Sequence, residues 1–234
     1  MNSPRFEILA YVDSPLGPLC LRRRETLSEP RELVTEITLN HEFLMSSLNT
    51  DSERALARVA LEQIDGNALR VLVGGLGLGY TAHAALAYDR VAQVDVVEYL
   101  PPVIDWFHQG LVPLSDALNS DWRLRIVEGD IYARLLAEPE LPLYDAILID
   151  VDHSPEEHLA DENASFYSPA GLTSAVRHLR PGGILALWSY TDHTPTLDAM
   201  RNELIEVGAH PVTYYNRHVH QEFTDWIYTG RRAH

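Results

Sequence analysis

The sequence is poor in cysteine and in basic residues, and each shortage excludes a class of protein. Its one cysteine, Cys20, cannot form an internal disulfide, which excludes a disulfide-stabilised scaffold and favours a reducing, cytoplasmic location. Lys and Arg number 18 against 34 Asp and Glu, so the formal net charge is −16. Because a charge of this sign repels phosphate backbones and attracts small cations, nucleic acid is not an expected partner.

Long apolar runs are also missing. No stretch approaches the length that crosses a bilayer, and the first residues, MNSPRFEILAYVDSP, lack the apolar segment of a signal peptide, so we expect no membrane association. A hydrophobic content of 46% with 22% charged residues is typical of a globular protein. A length of 234 residues suits one sizeable core with a small added element.

Residues 71–98, VLVGGLGLGYTAHAALAYDRVAQVDVVE, contain the most informative local pattern. An apolar strand leads into Gly75, Gly77 and Gly79, then an alanine-rich helix, then a second strand that ends in Glu98, 19 residues after Gly79. Glycines let the backbone approach a ligand closely, and an acid at this strand end can accept hydrogen bonds from ribose hydroxyls. The order predicts a nucleoside-binding βαβ unit; a glycine-rich turn in an unrelated α/β protein is the alternative.

Strand and helix patterns alternate from residue 69 onwards. The predicted strands are 70–74, 92–98, 124–128, 144–150 and 184–189, and the predicted helices lie near 79–88, 101–109, 131–138, 168–179 and 194–207. Two further strands, 211–216 and 222–229, are joined too closely for a helical crossover and must pair antiparallel. The predicted fold class is therefore α/β: a Rossmann-like, seven-stranded sheet of the SAM-dependent methyltransferase type, parallel with a C-terminal antiparallel hairpin.

The first fifty residues form a separate predicted unit. Residues 6–21 read as a β-hairpin around the turn at 13–18, residues 22–32 as a charged loop, and residues 33–48 as a strand leading into a short helix. A helix is predicted over 51–63. We accordingly divide the chain into a hairpin and active-site cover segment, 1–50, and a nucleoside-binding catalytic domain, 51–234.

Polar side chains follow the third and fourth strands of the predicted sheet. Because ligands bind outside the carboxyl ends of such strands, these side chains are candidate site residues. Asp130 is placed to accept the adenine amino group while Ile131 packs on the ring; its alternative role is to cap the following helix. Asp150 ends the apolar strand YDAILID and is the predicted catalytic residue.

These motifs together resemble the spermidine synthase (polyamine aminopropyltransferase) family over almost the whole chain. The resemblance rests on VLVGGLGLGYT, Glu98, Gly129-Asp130, Asp150 and the Arg180-Pro-Gly-Gly183 stretch. It implies a SAM-type donor, either SAM or decarboxylated SAM, held at the ribose by Glu98 and at the adenine by Asp130 and Ile131. It implies that Asp150 orients or deprotonates an attacking amine, and it makes a homodimer an expected arrangement.

The resemblance also suggests substrate-binding residues and shows three departures. Asn40-His41-Glu42 resembles the family's Tyr-His-Glu segment over the active site, which assigns His41 and Glu42 to substrate binding, and Tyr215 is assigned to the cleft by strand alternation with Tyr214 in the core. The family's glycine-loop aspartate is Leu78 here, its gating tyrosine is Asn40, and its second strand-four aspartate is His153, with Asp152 one place early.

The segment from Ile149 to Ser154, with Asp152 and His153, is also similar to a stretch of certain small-molecule methyltransferases. Asp150, Asp152 and His153 are ligand types that a divalent ion can use, but three residues this close in the chain cannot easily all face one ion. We therefore expect a structural or substrate-facing role for Asp152 and His153 and no metal.

The predicted function is alkylation of an amine of a small cationic molecule by aminopropyl or methyl transfer. The alternatives are a metal-independent small-molecule O-methyltransferase and a non-catalytic nucleoside-binding paralogue. A dinucleotide-dependent oxidoreductase is a more distant alternative.

Overall fold

The computed structural model describes residues 5–27, 29–151 and 164–234. Two sheets organise them. The first is a four-stranded sheet made of β1 (Phe6–Ser14), β2 (Gly17–Glu25), β3 (Leu33–Leu39) and β4 (Glu42–Ser46). The second has seven strands: β5 (Leu69–Gly74), β6 (Val91–Glu98), β7 (Leu124–Glu128), β8 (Tyr144–Ile149), β9 (Leu179–Ser189), β10 (Ile205–Asn216) and β11 (Gln221–Arg231).

The helices follow the alternation expected from sequence. They are α1 (Asp51–Leu61), α2 (Tyr80–Leu86), α3 (Pro101–His108), α4 (Ser115–Asn119), α5 (Ile131–Leu136), α6 (Pro169–Val176) and α7 (Pro195–Glu203). Among the described residues, none of these helices has the length and apolar character needed to cross a bilayer.

The large sheet has the strand order β10-β11-β9-β8-β5-β6-β7. Strands β5 to β9 pair parallel with one another, whereas β11 pairs antiparallel with both β9 and β10. The strand order reverses between β5 and β8, so their carboxyl ends open a crevice in which such sheets bind ligands. This topology confirms the predicted fold class.

Apolar side chains cover both faces of the large sheet. On one face α1, α2 and α3 pack with residues of β2 and β3, so the small sheet shares this core. On the other face α5, α6 and α7 pack over β8 and β9. Burial on both faces explains why β8 reads as a continuous apolar run in the sequence.

The N-terminal sheet is larger than the predicted hairpin, and the predicted helix after β3 is wrong. Asn40 and His41 have φ angles of 52° and 69°, which form the two-residue turn that joins β3 to β4. The predicted loop at 22–32 begins as strand, because Arg22 and Arg24 of β2 both donate to the buried Glu36 of β3.

Several helices are shorter than predicted, and α7 differs most. Helix α7 ends at Glu203 rather than near residue 207, since Leu204 has an extended backbone and Ile205 begins β10 by pairing with Arg231. The chain reaches α1 directly after β4, which places the predicted division near residue 50 between the two sheets.

Candidate active site

Two cavities meet at the carboxyl ends of the parallel strands. We name them after the roles that the sequence predicts. The donor-side cavity, beside Glu98 and Asp130, has a volume of about 350 Å³. The acceptor-side cavity, beside Glu53 and Asp225, has a volume of about 510 Å³. Five residues line both: Leu44, Met45, Gly77, Asp150 and Val151. Leu44 and Met45 belong to β4, so the small sheet covers the junction.

The glycine loop after β5 forms one wall of the donor-side cavity. Gly75 has a φ of 91°, and a Cβ atom there would lie 2.5 Å from the backbone oxygen of Asp150. A Cβ on Gly77 would lie 2.9 Å from the Sδ atom of Met45. Gly75 therefore requires glycine because the backbone of Asp150 approaches it closely, whereas at Gly77 the neighbour is a flexible side chain and the positive φ of 51° is what favours glycine.

Gly79 has a different task from the other two glycines. Its φ is 88°, and an added Cβ would lie 2.7 Å from Leu118 and 3.0 Å from Phe107, both buried in the core. It therefore lets α2 begin tightly against α3 and α4 rather than facing the donor-side cavity.

Glu98 lies at the end of β6 and lines the donor-side cavity. Its Oε2 atom accepts the backbone N–H of Leu76 at 2.8 Å, and Oε1 accepts the backbone N–H of Leu100 at 2.8 Å. Burial raises the pKa of Glu98, and these backbone donors oppose the shift. The carboxylate thus fixes the glycine loop while facing the cavity that a ribose would enter.

Asp130 and Ile131 line the same cavity from the start of α5. Asp130 Oδ1 accepts the backbone N–H groups of Tyr132 at 2.8 Å and Ala133 at 3.1 Å, so the side chain caps the helix. Both bonds use Oδ1, which leaves Oδ2 as the candidate acceptor for a base. Ile131 is buried, and its Cγ1 atom lies 2.8 Å from the position that a Cβ atom on Gly74 would take.

Asp150 marks the boundary of the two cavities. Thr81 of α2 donates to its Oδ2 at 2.6 Å, which stabilises the charged carboxylate, while burial raises the pKa of Asp150. Glu53 of α1 lines the acceptor-side cavity, and burial followed by the charge of Asp150 raises its pKa to about 8. At neutral pH Glu53 therefore holds a proton that a nearby cation would displace.

Asp225 of β11 also lines the acceptor-side cavity, and Ser52 of α1 donates its hydroxyl to Oδ2. The polar groups of Ser52, Trp188 and Tyr214 lower the pKa of Asp225, but burial outweighs them and raises it. Burial, together with the charge of Asp225, raises the pKa of Tyr214 to about 12.

Four carboxyl groups line the acceptor-side cavity, and three of them have no cationic side chain as partner among the described residues. The fourth, Glu36, forms an ion pair with Arg24, which lines the same cavity. None of the ion pairs in the described part of the chain includes Glu53, Asp150 or Asp225. Within the same residues, no group of three or more His, Cys, Asp or Glu side chains has the arrangement of a metal site. Buried carboxylates of this kind are stabilised by an incoming cation.

Comparison with known proteins identifies relatives for half of the chain. No family model matches. Putrescine N-methyltransferase 3 from Nicotiana tabacum is 29% identical over 119 residues, 51% of this chain and 29% of that protein. Polyamine aminopropyltransferase 2 from Streptomyces coelicolor is 32% identical over 120 residues, 50% of this chain and 21% of that protein. The chain thus spans less than a third of these curated relatives.

Solved structures match nearly all of the chain. A spermidine synthase in complex with the transition-state analogue AdoDATO superposes with a TM-score of 0.72 at 14% identity, covering 96% of this chain and 73% of that one. The chain has a spermidine synthase fold. Spermidine synthase from Thermotoga maritima gives a TM-score of 0.70 at 13% identity, covering 96% of this chain and 72% of that one. The N-methyltransferase NodS from Bradyrhizobium japonicum gives 0.57 at 14% identity, covering 80% and 89%.

The spermidine synthase fold confirms the resemblance, but it does not bring every predicted site residue to the cavities. His41 and Glu42 are exposed at the β3–β4 turn, where His41 stacks on Tyr11 with ring centroids 6.3 Å apart, and neither lines either cavity. Asp152 and His153 lie outside the described residues.

The two tyrosines of β10 lie in places other than the core and the cleft that the sequence predicts for Tyr214 and Tyr215. Tyr214 lines the acceptor-side cavity, whereas Tyr215 is 53% exposed and does not line it. The two side chains do alternate, but Tyr214 faces the cavity rather than the core and Tyr215 faces solvent.

Two carboxylates of the cavity, Glu53 and Asp225, were missed. Glu53 lies in the first turn of α1, where acidic residues are common because they stabilise the helix dipole, so its position did not indicate a site. Asp225 interrupts an apolar strand just before Trp226, which is the one sequence signal that marks it.

Proposed function

We propose that this protein transfers an alkyl group from a SAM-type sulfonium donor to an amine of a small cationic molecule. The observation that carries the proposal is the junction, at Asp150, of two cavities: one lined by the glycine loop, Glu98 and Asp130, the other lined by three carboxyl groups that have no cationic partner among the described residues. The printed names of the sequence relatives, putrescine N-methyltransferase and polyamine aminopropyltransferase, describe two reactions of this class.

The residues of the donor-side cavity fit a nucleoside. Gly75 lines the cavity with backbone alone, Glu98 presents a carboxylate to ribose hydroxyls, and Asp130 with Ile131 offers an acceptor and an apolar surface to the base. A sulfonium donor is already activated, so the reaction is proposed to need no metal, and positioning supplies much of the rate.

In the proposed reaction the protein removes a proton from the acceptor amine and aligns the amine nitrogen with the donor carbon. Asp150 orients the acceptor amine and accepts its proton, for which a raised pKa makes a buried carboxylate better suited. The amine nitrogen attacks the carbon bound to the sulfonium; the C–N bond forms as the C–S bond breaks, and its electron pair remains on sulfur. Leu44 and Met45 cover the junction and exclude water from it.

Two donors remain within the proposal, and different observations favour each. The carboxylates of the acceptor-side cavity disfavour a donor that carries its own carboxylate, which supports decarboxylated SAM and aminopropyl transfer. Leu78, buried in the wall of the same cavity, offers no anchor for an aminopropyl amine, which supports SAM and methyl transfer.

Calorimetric titration with each donor separates these reactions. Tighter binding of decarboxylated SAM, followed by transfer to diamines and polyamines, would establish aminopropyl transfer, and tighter binding of SAM would establish methyl transfer. Binding of neither donor would refute the nucleoside site.

The catalytic assignment is tested with Asp150→Asn. We expect this variant to bind the donor with unchanged affinity and to lose turnover. Asp105→Asn, an exposed change on α3, is the matched control and should keep full activity. Donor binding without turnover of any amine by the unaltered protein would favour the non-catalytic alternative, and turnover of alcohols alone would favour an O-methyltransferase.

We further propose a cytoplasmic homodimer whose first 50 residues form the active-site cover, from the single cysteine and the family resemblance. Light scattering of the purified protein tests the oligomeric state.

A further inference from the structure

A groove between α1 and α2 is basic, in contrast to the acidic protein around it. It has a volume of about 610 Å³, and β10 borders it. Four of its lining residues define what we call the α1–α2 groove: Arg54 and Arg58 of α1, His83 of α2, and Tyr88. Asp51 is the one carboxylate among the described residues that line it. Since the net charge of the chain is −16, this groove is a local reversal of charge.

The two arginines are placed to reach one ligand. They are four residues apart on α1, so their Cβ atoms lie about 5–6 Å from each other on one face of the helix. Burial lowers the pKa of His83, and the charge of Arg54 lowers it further. Burial and the charge of Glu62 raise the pKa of Tyr88, and the charge of Arg58 opposes this shift. Each arginine is therefore close to one of the two rings, and three alanine side chains that also line the groove occupy little of its space.

The guanidinium groups keep donors for a ligand. Arg54 donates its Nε–H to Thr50 at 3.1 Å, and its guanidinium group lies 4.9 Å from the centroid of the Tyr80 ring. These contacts orient Arg54 without using its terminal nitrogen atoms, and none of the ion pairs found in the described chain includes it. Arg58 pairs with Glu62 at 3.6 Å, but both side chains are more than half exposed, so this pair contributes little.

His83 supplies a further donor. Its Nδ1 atom is buried and has no hydrogen-bond partner in the part of the chain that the structure describes. The lowered pKa keeps the ring neutral near pH 7, and a neutral imidazole carries its proton on one nitrogen. A proton on Nδ1 would be a buried donor without an acceptor, which is costly. The proton therefore resides on Nε2, which is the nitrogen that the ring can present to a ligand.

We propose that the α1–α2 groove binds a small organic oxyanion, whose phosphate or carboxylate group is held by Arg54, Arg58 and His83. Guanidinium groups match the geometry of both anions, and bonds to a charged acceptor are strong ones. Tyr88 and Pro211 line the groove beside these donors and supply an apolar surface for the rest of the molecule. A small ligand is favoured over an acidic protein or a nucleic acid, because the negative charge around the groove repels a large polyanion.

The groove is separate from the two cavities of the active site, so this inference does not depend on the proposed function. Helix α1 contacts both places, since Ser52 and Glu53 line the acceptor-side cavity. Arg54 also contacts Tyr80, which lines that cavity, so a change of Arg54 can disturb the active site. Arg58→Gln is the cleaner test because Arg58 is exposed and lines the groove alone.

The test is calorimetric titration of the full chain with inorganic pyrophosphate and with citrate, at an ionic strength held constant with sodium chloride. We expect at least one of the two to bind, and the tighter one assigns the phosphate or the carboxylate class. Loss of one ionic contact should weaken binding about fivefold in Arg58→Gln and in Arg54→Gln. Arg201→Gln is the matched control, since Arg201 also forms an exposed ion pair on a helix, and it should bind as the unaltered protein does.

A spectroscopic readout locates the anion. In carbon–proton spectra of the unaltered protein, the histidine ring signal that is absent from His83→Gln should move during the titration. Binding of neither anion would overturn the inference, as would equal affinities of Arg58→Gln and Arg201→Gln. Binding that sodium chloride abolishes would mean an adventitious ion only. Capture of an acidic peptide, with no binding of either small anion, would assign the groove to a protein partner instead.

Discussion

The carboxyl group of Glu53 makes the stability of the protein depend on pH in a direction that can be derived from its surroundings. Burial and the charge of Asp150 raise the pKa of Glu53 from 4.5 to about 8. In the unfolded chain the group ionises near its ordinary value. Between these two values the folded state binds a proton that the unfolded state has released, so stability falls as pH rises.

The sign and the size of the effect follow from this window. The contribution of Glu53 is fully present below the unfolded pKa of 4.5 and is lost as pH rises to about 8. One group contributes a slope of at most about 1.4 kcal/mol per pH unit. Glutamine at position 53 cannot ionise, so Glu53→Gln should remove this slope and become the more stable protein, relative to the unaltered chain, as pH increases.

The assay is urea unfolding at several pH values from 5 to about 8.5, followed by tryptophan fluorescence. Glu62→Gln, an exposed change at the end of the same helix, is the control. The quantity of interest is the difference in slope between each variant and the unaltered protein, which removes the contributions that they share. Identical slopes for Glu53→Gln and the unaltered chain would refute the assignment of a raised pKa to Glu53.

Three further outcomes are expected. Gly75→Ala should destabilise the fold and abolish donor binding, because its Cβ would collide with a backbone oxygen. Gly66 has a similar positive φ of 105° but open space around it, so Gly66→Ala should cost only the backbone strain. Equal losses of stability on urea unfolding would contradict this. Tyr214→Phe should raise the acceptor KM severalfold because Asp225 loses the hydroxyl group beside it, and the exposed change Tyr215→Phe should leave KM unchanged. The same KM for both variants in steady-state kinetics would contradict a role of Tyr214 at the cavity. Glu98→Gln should lower the free energy of unfolding by about 1–3 kcal/mol, since one oxygen that accepts a backbone N–H becomes a donor, and donor affinity should fall with it; unchanged affinity in calorimetry would remove Glu98 from the donor site.

The residues that line the donor-side cavity could be predicted from sequence because each of them is marked by its own strand. The glycine loop, Glu98, Asp130 and Asp150 each end or follow a strand whose apolar run is visible by itself, and the carboxyl ends of such strands meet at one edge of the sheet. The resemblance then supplied roles for positions that the local pattern had already marked.

The acceptor side could not be anticipated in the same way. It joins α1 to β11, and the hydrogen bond from Ser52 to Asp225 links residues 173 positions apart. No local periodicity reports such a contact. The pair His41-Glu42 matched a family segment by residue type alone, yet the positive φ angles of Asn40 and His41 place the pair in a tight turn away from the cavities.

The position of Met45 has a consequence for how specificity can change during evolution. Its side chain contacts the glycine loop at Gly77 and lines both cavities, so under the proposed function a substitution there would alter the choice of donor and of acceptor together. Asp225 lines the acceptor-side cavity alone. Under the same proposal, a lineage that changes Asp225 would explore new acceptors while it keeps its donor, whereas a change of Met45 would affect both substrates in one step.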